Sequence, residues 1–397
     1  MQNCVAIGLL LCSFVTGCAH SARSTTPPSG KPMSQVKVLT YNMLHGFKPS
    51  GLTYKASEST LVHQARLELQ LGQLSVVQPE VLLLQEVNPL PAMADAYVAA
   101  FMGLGLKYTE VHQVDACGVR LAPGLAAVPG LNNGLAVLVK DPLRLRKVKG
   151  LKLSGGFGFC TDFVGLQTDE FRYALIAEVE DPYTGMKVLV VSLHLHSGIE
   201  RNAFFIQEIK KAVDQEKVRR EDFEGLVATL EQSQERRLDE IRVLVKELQK
   251  LQAQETYFGT IIGGDFNFEP DDPEYRELER VGFRDAHTIA SSKADVYSLD
   301  PQRNLIAKEG IRDVPSALRE AMKPLPDSQQ GWMLEDYQTG ISQARRIDFL
   351  FLMAKPSESM KGCMRLELFG EPTTVSTALG SDHFGVLATY IADATQC

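Results

Sequence analysis

In IIGGDFNFEP, residues 261–270, an apolar run enters two glycines and then presents Asp265 and Asn267 two positions apart. A strand alternates its side chains, so residues i and i+2 point the same way. That spacing predicts Asp265 and Asn267 facing one common space, with Phe266 and Phe268 turned toward packing. Gly263 and Gly264 let the backbone come close to something or bend sharply. An Asx-type turn after a buried strand reads the same letters differently, since Asp and Asn favour turns. Taken alone, the stretch supports both.

Working outward, similar runs recur. VKVLTYNMLHG (36–46) is apolar and β-rich and ends in polar residues that include Asn42. Residues 58–77 carry Leu67, Leu71 and Leu74 at helical spacing, and Gln78-Pro79 stops that helix. EVLLLQEVN (80–88) is nearly continuous in apolar residues, as expected of a strand covered on both faces, and it ends on Gln85-Glu86. NNGLAVLVK (132–140), FRYALIAEVED (171–181) and MKVLVVSLHLHS (186–197) read as three further strands, the last two joined as a hairpin by DPYTG. Residues 200–256 form a helical excursion, almost free of Gly and Pro. Its stripe of Leu238, Ile241, Val245, Leu248 and Leu251 marks 233–254 as an amphipathic helix laid on a sheet. A strand over 258–264 follows, then an irregular acidic stretch (269–335), RRIDFLFLMA (345–354) and SDHFGVLATYIA (381–392). Hairpin and crossover connections together predict a mixed-sheet sandwich with helices outside.

Composition sets bounds. The chain has 397 residues, 44% hydrophobic and 23% charged, which is ordinary for a globular protein. A net charge of −8 argues against a nonspecific nucleic-acid binder, although a local basic groove remains compatible with it. The first residues, MQNCVAIGLLLCSFVTGCAHS, hold an apolar run (5–15) too short to span a bilayer. With Thr16, Gly17 and Cys18 behind it, the segment resembles the signal peptide and lipobox of a bacterial lipoprotein. On that reading residues 1–17 are removed, Cys18 is lipidated, and 18–35 form a flexible tether to a domain over 36–397. One part departs: no Lys or Arg precedes Arg23, and a plain secretory signal is the alternative. Ala19 resembles the residue of lipoproteins sent to an outer membrane. The expected location is therefore exported and lipid-anchored to a bacterial membrane, on its periplasmic or surface side. Cys117, Cys160, Cys363 and Cys397 remain in the mature chain, an even number that predicts two disulfides of open connectivity.

Five predicted strands end in polar residues: Asn42, Glu86, His194, Asp265 with Asn267, and Asp382 with His383. In a sixth run, Asp348 interrupts otherwise apolar residues. A buried carboxylate is costly unless something pairs it, so six such positions call for a common purpose. The motifs TYNMLHG, VLLLQEVN, VSLHLHSG, GGDFNFEP, RRIDFLF and SDHFGV resemble, in order, those of the endonuclease/exonuclease/phosphatase superfamily. That superfamily includes deoxyribonuclease-I-like nucleases, inositol polyphosphate 5-phosphatases and neutral sphingomyelinases. The resemblance spans 36–392 and implies a four-layered α/β/β/α sandwich of two mixed sheets flanked by helices.

It also implies a Mg²⁺-dependent (or Mn²⁺-dependent) phosphoesterase. A phosphodiester is anionic, and attack on it adds charge to its oxygens. A hard cation on oxygen ligands offsets that charge. By resemblance Asn42 and Glu86 carry the metal, with Asp382 contributing directly or through water. Either His383, oriented by Asp348, or Asp265 takes the proton from water. Asn267 holds the water or a phosphoryl oxygen, and His194 donates to a non-bridging oxygen. Asn133 and Arg172 stand where the family places supporting polar residues. His196 reads as a rim or packing residue, and His45 and His63 as structural or surface residues. The expected reaction is phosphodiester hydrolysis, on a lipid head group such as sphingomyelin. An extracytoplasmic nuclease, a phosphomonoesterase and a non-catalytic binding protein are the alternatives. The expected partners are that phosphoester and the membrane, through the lipid anchor, for a monomeric protein.

Overall fold

The computed structural model describes residues 35–50, 53–56, 58–115, 120–122, 125–126, 133–155, 171–197, 203–216, 219–290, 296–310, 322–323, 325–354, 363–372 and 379–391. The expected signal peptide, Cys18, the tether, Cys117, Cys160 and Cys397 lie outside these residues. Cys363 is disulfide-bonded.

Two six-stranded sheets face each other. The first runs, in spatial order, Cys363–Phe369, Gly385–Ile391, Gln35–Asn42, Val81–Val87, Gly134–Lys140 and Tyr108–Val114. The second runs Arg284–Asp285, Asp348–Ala354, Gly259–Asp265, Lys187–His194, Arg172–Glu180 and Arg144–Ser154. Each contains one parallel pair, Gln35–Asn42 with Val81–Val87 and Lys187–His194 with Gly259–Asp265. Parallel neighbours need a crossover connection. Helix Thr60–Val77 supplies the first, and helices Ala203–Asp214 and Arg220–Gln254 the second.

Period-two alternation sorts the apolar residues into three layers. Val81 and Leu83 join Val38, Val137, Val190 and Leu350 between the sheets. Leu82 and Leu84 face outward instead, toward Leu74, Tyr97 and Phe101 on the helices of the first sheet. Leu189, Val191 and Leu193 likewise pack under Ile241, Leu244 and Leu248 on the far side of the second. Three apolar layers separate four structural ones, the predicted α/β/β/α sandwich, and they explain why VLLL carries no polar position. The hairpin expected at DPYTG is present, with Glu180 opposite Lys187.

Some expectations need correction. Asp348 opens its strand instead of interrupting it, and Asp382 and His383 precede theirs. Polar residues therefore end four strands and begin two. The antiparallel strands start where the parallel ones stop, so all six positions still share one edge of the sandwich. The stretch 269–335 is not irregular throughout: it contains helices Pro273–Arg280 and Leu305–Gly310 and the start of Asp327–Ile341. Strands Tyr108–Val114, Arg144–Ser154 and Cys363–Phe369 were not predicted, being edge or next-to-edge strands with partly exposed, charged sequences.

Helix Arg220–Gln254 also buries charge. Arg237 and Glu274 are both fully buried, and the guanidinium Nε donates to the carboxylate at 3.0 Å. Removing one partner strands the other in a dry site, at about 3–5 kcal/mol. Arg237→Met is expected to lower unfolding stability by about that amount in a denaturant melt, and Arg237→Met with Glu274→Leu to recover most of it. An equal loss in both variants would mean that packing, not the stranded charge, dominates.

Candidate active site

Across the second sheet, His194, Asp265 and Asp348 stand in one row: His194 is the register partner of Asp265, and Asp265 lies opposite Asp348. Facing them in the first sheet, Asn42 is the register partner of Gln85, beside Glu86. Like charges directly opposite destabilise a sheet. The Asp265–Asp348 pair persists because other side chains converge on it.

The glycines before Asp265 explain the close fit. A Cβ on Gly264 would stand 2.1 Å from the Leu193 carbonyl oxygen of the neighbouring strand. One on Gly263 would meet Leu83 across the sandwich at 2.6 Å and Leu350 on the neighbouring strand at 2.9 Å. Beyond them the strand stops at Asp265, and Asn267 adopts φ 53° in the left-handed region. Strand alternation therefore does not bring Asp265 and Asn267 together. The Asn267 N–H donates to Asp265 Oδ1 at 3.1 Å, an Asx-type turn, while its side-chain amide donates to the Leu195 carbonyl at 3.1 Å. The turn, and not the alternation, places the amide beside the His194 loop.

Around Asp265 the sheets meet. Asn42 Nδ2 donates to Asp265 Oδ2 at 3.1 Å and to Glu86 Oε1 at 3.0 Å. His194 Nε2 lies 3.5 Å and His383 Nε2 3.8 Å from Asp265 Oδ2. His383 Nδ1 is hydrogen-bonded to Asp348 Oδ2 at 2.7 Å, so two residues 35 positions apart in sequence meet in space. Burial opposes charge on His383, yet Asp348 and Asp265 outweigh it and hold the ring well above the ordinary histidine value. Burial and then Asp348 push Asp265 up to about 7. Burial, then Arg172, pushes His194 far down, so its ring is neutral, and its Nδ1 has no partner.

Glu86 sits at φ 56°, in the left-handed region that non-glycine residues seldom adopt, where the pairing of its strand with Gly134–Lys140 is irregular. Its carboxylate accepts from Asn42 and from the His45 N–H at 2.9 Å, with the His45 ring at 3.8 Å. Burial works to raise it, but His45 and His194, with these hydrogen bonds, hold it well below the usual carboxylate range. Asp382 is raised by burial and by Glu86, against the opposing charge of His383. An ionised carboxylate, a second carboxylate raised in part by it and the amide of Asn42 make a hard oxygen donor set, which fits Mg²⁺ or Mn²⁺. Among the described residues, the tightest group of carboxylate and histidine donors is a different one: Asp265, Asp348 and His383, within 4.8 Å of one another. The Asp348–His383 bond already occupies one ring nitrogen there, which suits proton handling better than ligation.

Asn133 is buried just ahead of strand Gly134–Lys140, with its Oδ1 unpaired, and Gly134 pairs with Val87 next to Glu86. Arg172 is buried beside His194 and donates to Ser197 Oγ at 3.4 Å. Both predicted supporting residues therefore reach this edge. His196, taken as packing, has its N–H bound to Glu240 and its ring pushed down to about 2 by burial and Arg236.

Sequence reading missed His45, which touches Glu86, and Ser298. The Ser298 Oγ accepts from the Asp348 N–H at 3.0 Å, and its carbonyl accepts from the Phe384 N–H at 2.7 Å, pinning the backbones beside the Asp348–His383 bond. A lone serine in a loop gives no signal of that kind in sequence. His45 stands inside the motif TYNMLHG, yet in sequence it reads as a structural or surface residue.

The model of the Endonuclease/Exonuclease/phosphatase family matches residues 39–383. Among solved structures, truncated Caenorhabditis elegans TDP2 is similar at a TM-score of 0.52 and 16% identity, over 90% of this chain and 98% of that one. An endonuclease/exonuclease/phosphatase from Bacteroides vulgatus is similar at 0.51 and 16% identity, over 90% and 99%. A family protein from Bacteroides thetaiotaomicron gives 0.51 and 13%, over 91% and 96%. At such identities the likeness concerns the fold. No curated protein matches this chain.

Proposed function

Because this chain belongs to the Endonuclease/Exonuclease/phosphatase family, whose members are phosphoester hydrolases, we propose that it is a metal-dependent phosphodiesterase. The observation that carries the reading is the convergence of Asn42, Glu86, His194, Asp265, Asp348 and His383 on one edge between the sheets. Asn42, Glu86 and Asp382 would hold Mg²⁺ or Mn²⁺, which supplies charge neutralisation at the phosphoryl oxygens when bound.

The protein's own groups handle the rest. A water beside Asp265 gives its proton to Asp265 or to His383, whose ring Asp348 fixes by a hydrogen bond at 2.7 Å. Asn267, held against the Leu195 carbonyl, orients that water or a phosphoryl oxygen. His194, neutral, keeps one N–H for a non-bridging phosphoryl oxygen that gains charge as the water attacks. Arg172 and Asn133 line the approach and meet the anionic substrate.

The substrate we favour is a lipid-type phosphodiester such as sphingomyelin, handled by an exported monomer anchored through Cys18. A net charge of −8 and the lipobox-like VTGC support this over a nucleic acid. A panel of sphingomyelin, DNA, RNA and inositol phosphates, each with Mg²⁺ or with EDTA, tests it. Metal-dependent release of the sphingomyelin head group is expected at the highest rate; faster cleavage of DNA or RNA would replace the lipid reading with a nuclease.

A further inference from the structure

We propose that Arg66 and Gln70, on the crossover helix of the first sheet, are positioning residues that set the spacing between the Asn42 and Asp382 segments. The proposal rests on the metal reading of Asn42, Glu86 and Asp382. Along helix Thr60–Val77 the buried residues are Arg66, Gln70 and Leu74, one stripe at four-residue spacing. Two of the three are polar, and buried polar groups need partners. Both donate to the same two backbone carbonyls.

Arg66 Nη1 donates to the Met43 carbonyl at 2.7 Å and to the Gly380 carbonyl at 3.2 Å. Gln70 Nε2 donates to Met43 at 3.0 Å and to Gly380 at 2.5 Å. Arg66 Nη2 adds the Leu44 carbonyl at 3.0 Å. Met43 directly follows Asn42, and Gly380 stands two residues before Asp382. Each carbonyl is thus held twice, by one helix, from segments more than three hundred positions apart in sequence. The strands behind these segments already pair through Thr40 and Val386, so the fork acts beyond the sheet pairing.

The clamp is itself oriented. Tyr97 donates to Gln70 Oε1 at 2.8 Å, which turns the amide N–H₂ toward the carbonyls. Glu58 accepts from Arg66 Nε at 3.1 Å and from Nη2 at 2.5 Å, neutralising the buried guanidinium. Gly46 at φ 74° and Gly380 leave it room: a Cβ on Gly46 would stand 2.5 Å from Glu58, and one on Gly380 2.8 Å from Gln70. On the site side, Ser381 Oγ donates to the Asn42 carbonyl at 2.7 Å, closing the bridge between the two segments. Supporting groups of this sort change metal affinity by about 10–100-fold when removed.

The test measures Mn²⁺ binding by electron paramagnetic resonance, alongside melting of the metal-free protein, for wild type, Arg66→Lys and Gln70→Met in the full chain. Lysine keeps the charge without the fork, and methionine keeps the volume without the amide, so one variant remains informative should the other fail to fold. Folded variants are expected to bind Mn²⁺ roughly tenfold more weakly than wild type, and a purely structural role would not move this readout. Unchanged Mn²⁺ affinity in the folded variants, with the loss confined to melting, overturns the clamp and leaves the metal reading standing. Wild-type protein that binds no Mn²⁺ overturns both.

Discussion

Replacing Glu86 by Gln is expected to lower metal-supported kcat/KM by roughly a thousandfold or more, since removing the charge that holds a catalytic cation forfeits several kcal/mol of transition-state stabilisation. Glu86 is ionised, half-buried among Asn42, His45 and His194, and carried on a left-handed backbone at an irregularity in the strand pairing. The fold should survive, because the substitution keeps the volume and the strand Val81–Val87 is packed by its own Leu82, Leu83 and Leu84. Melting measured with and without Mg²⁺ separates the two effects. Wild type should gain stability from the metal and Glu86→Gln should not. Near wild-type turnover of the variant at ordinary Mg²⁺ would refute the metal assignment.

The second large effect concerns Asp348 and His383. Asp348→Asn and His383→Gln are each expected to lose roughly 10²–10⁴-fold in kcat, the usual range of a general acid–base or orienting contribution. The bond at 2.7 Å makes them one unit, so the double variant should be little worse than the worse single one. Losses that multiply would mean two independent roles. Among the described residues, His383 is the side-chain partner of Asp348 Oδ2, and Oδ1 is unpaired. Removing the imidazole therefore leaves a buried carboxylate exposed to the charge of Asp265, and a modest drop in stability accompanies the kinetic one.

The sequence made the layers legible because period two and period 3.6 are both strong in it. VLLL (81–84) and VLVV (188–191) carry no polar position, as expected of strands covered on both faces. The helix 233–254 showed its stripe for the same reason. Edge strands such as Arg144–Ser154 escaped because their exposed, charged side chains break the alternation. At the site, residue types at strand ends revealed most members, since carboxylates and imidazoles have little other reason to stop an apolar run.

Two kinds of residue stayed hidden. Arg66 and Gln70 look in sequence like the wet face of an amphipathic helix, beside Leu67 and Leu71, and only the fold shows that they are the buried stripe and that the leucines flank it. Ser298 acts through one hydroxyl and one carbonyl across long sequence separations, and no local pattern encodes that. The pairing of Asp265 with Asn267 was found for a mistaken reason: a turn joins them, whereas alternation along a continued strand does not.

The most direct measurement is hydrolysis of bis-p-nitrophenyl phosphate by the purified full chain in Mg²⁺, then in EDTA, then with Mg²⁺ restored. The convergence of both sheets on Asp265 predicts turnover with the metal, its loss on chelation and its return on adding the metal back. Equal hydrolysis in EDTA, or none by folded protein with either Mg²⁺ or Mn²⁺, would contradict a metal-dependent phosphodiesterase.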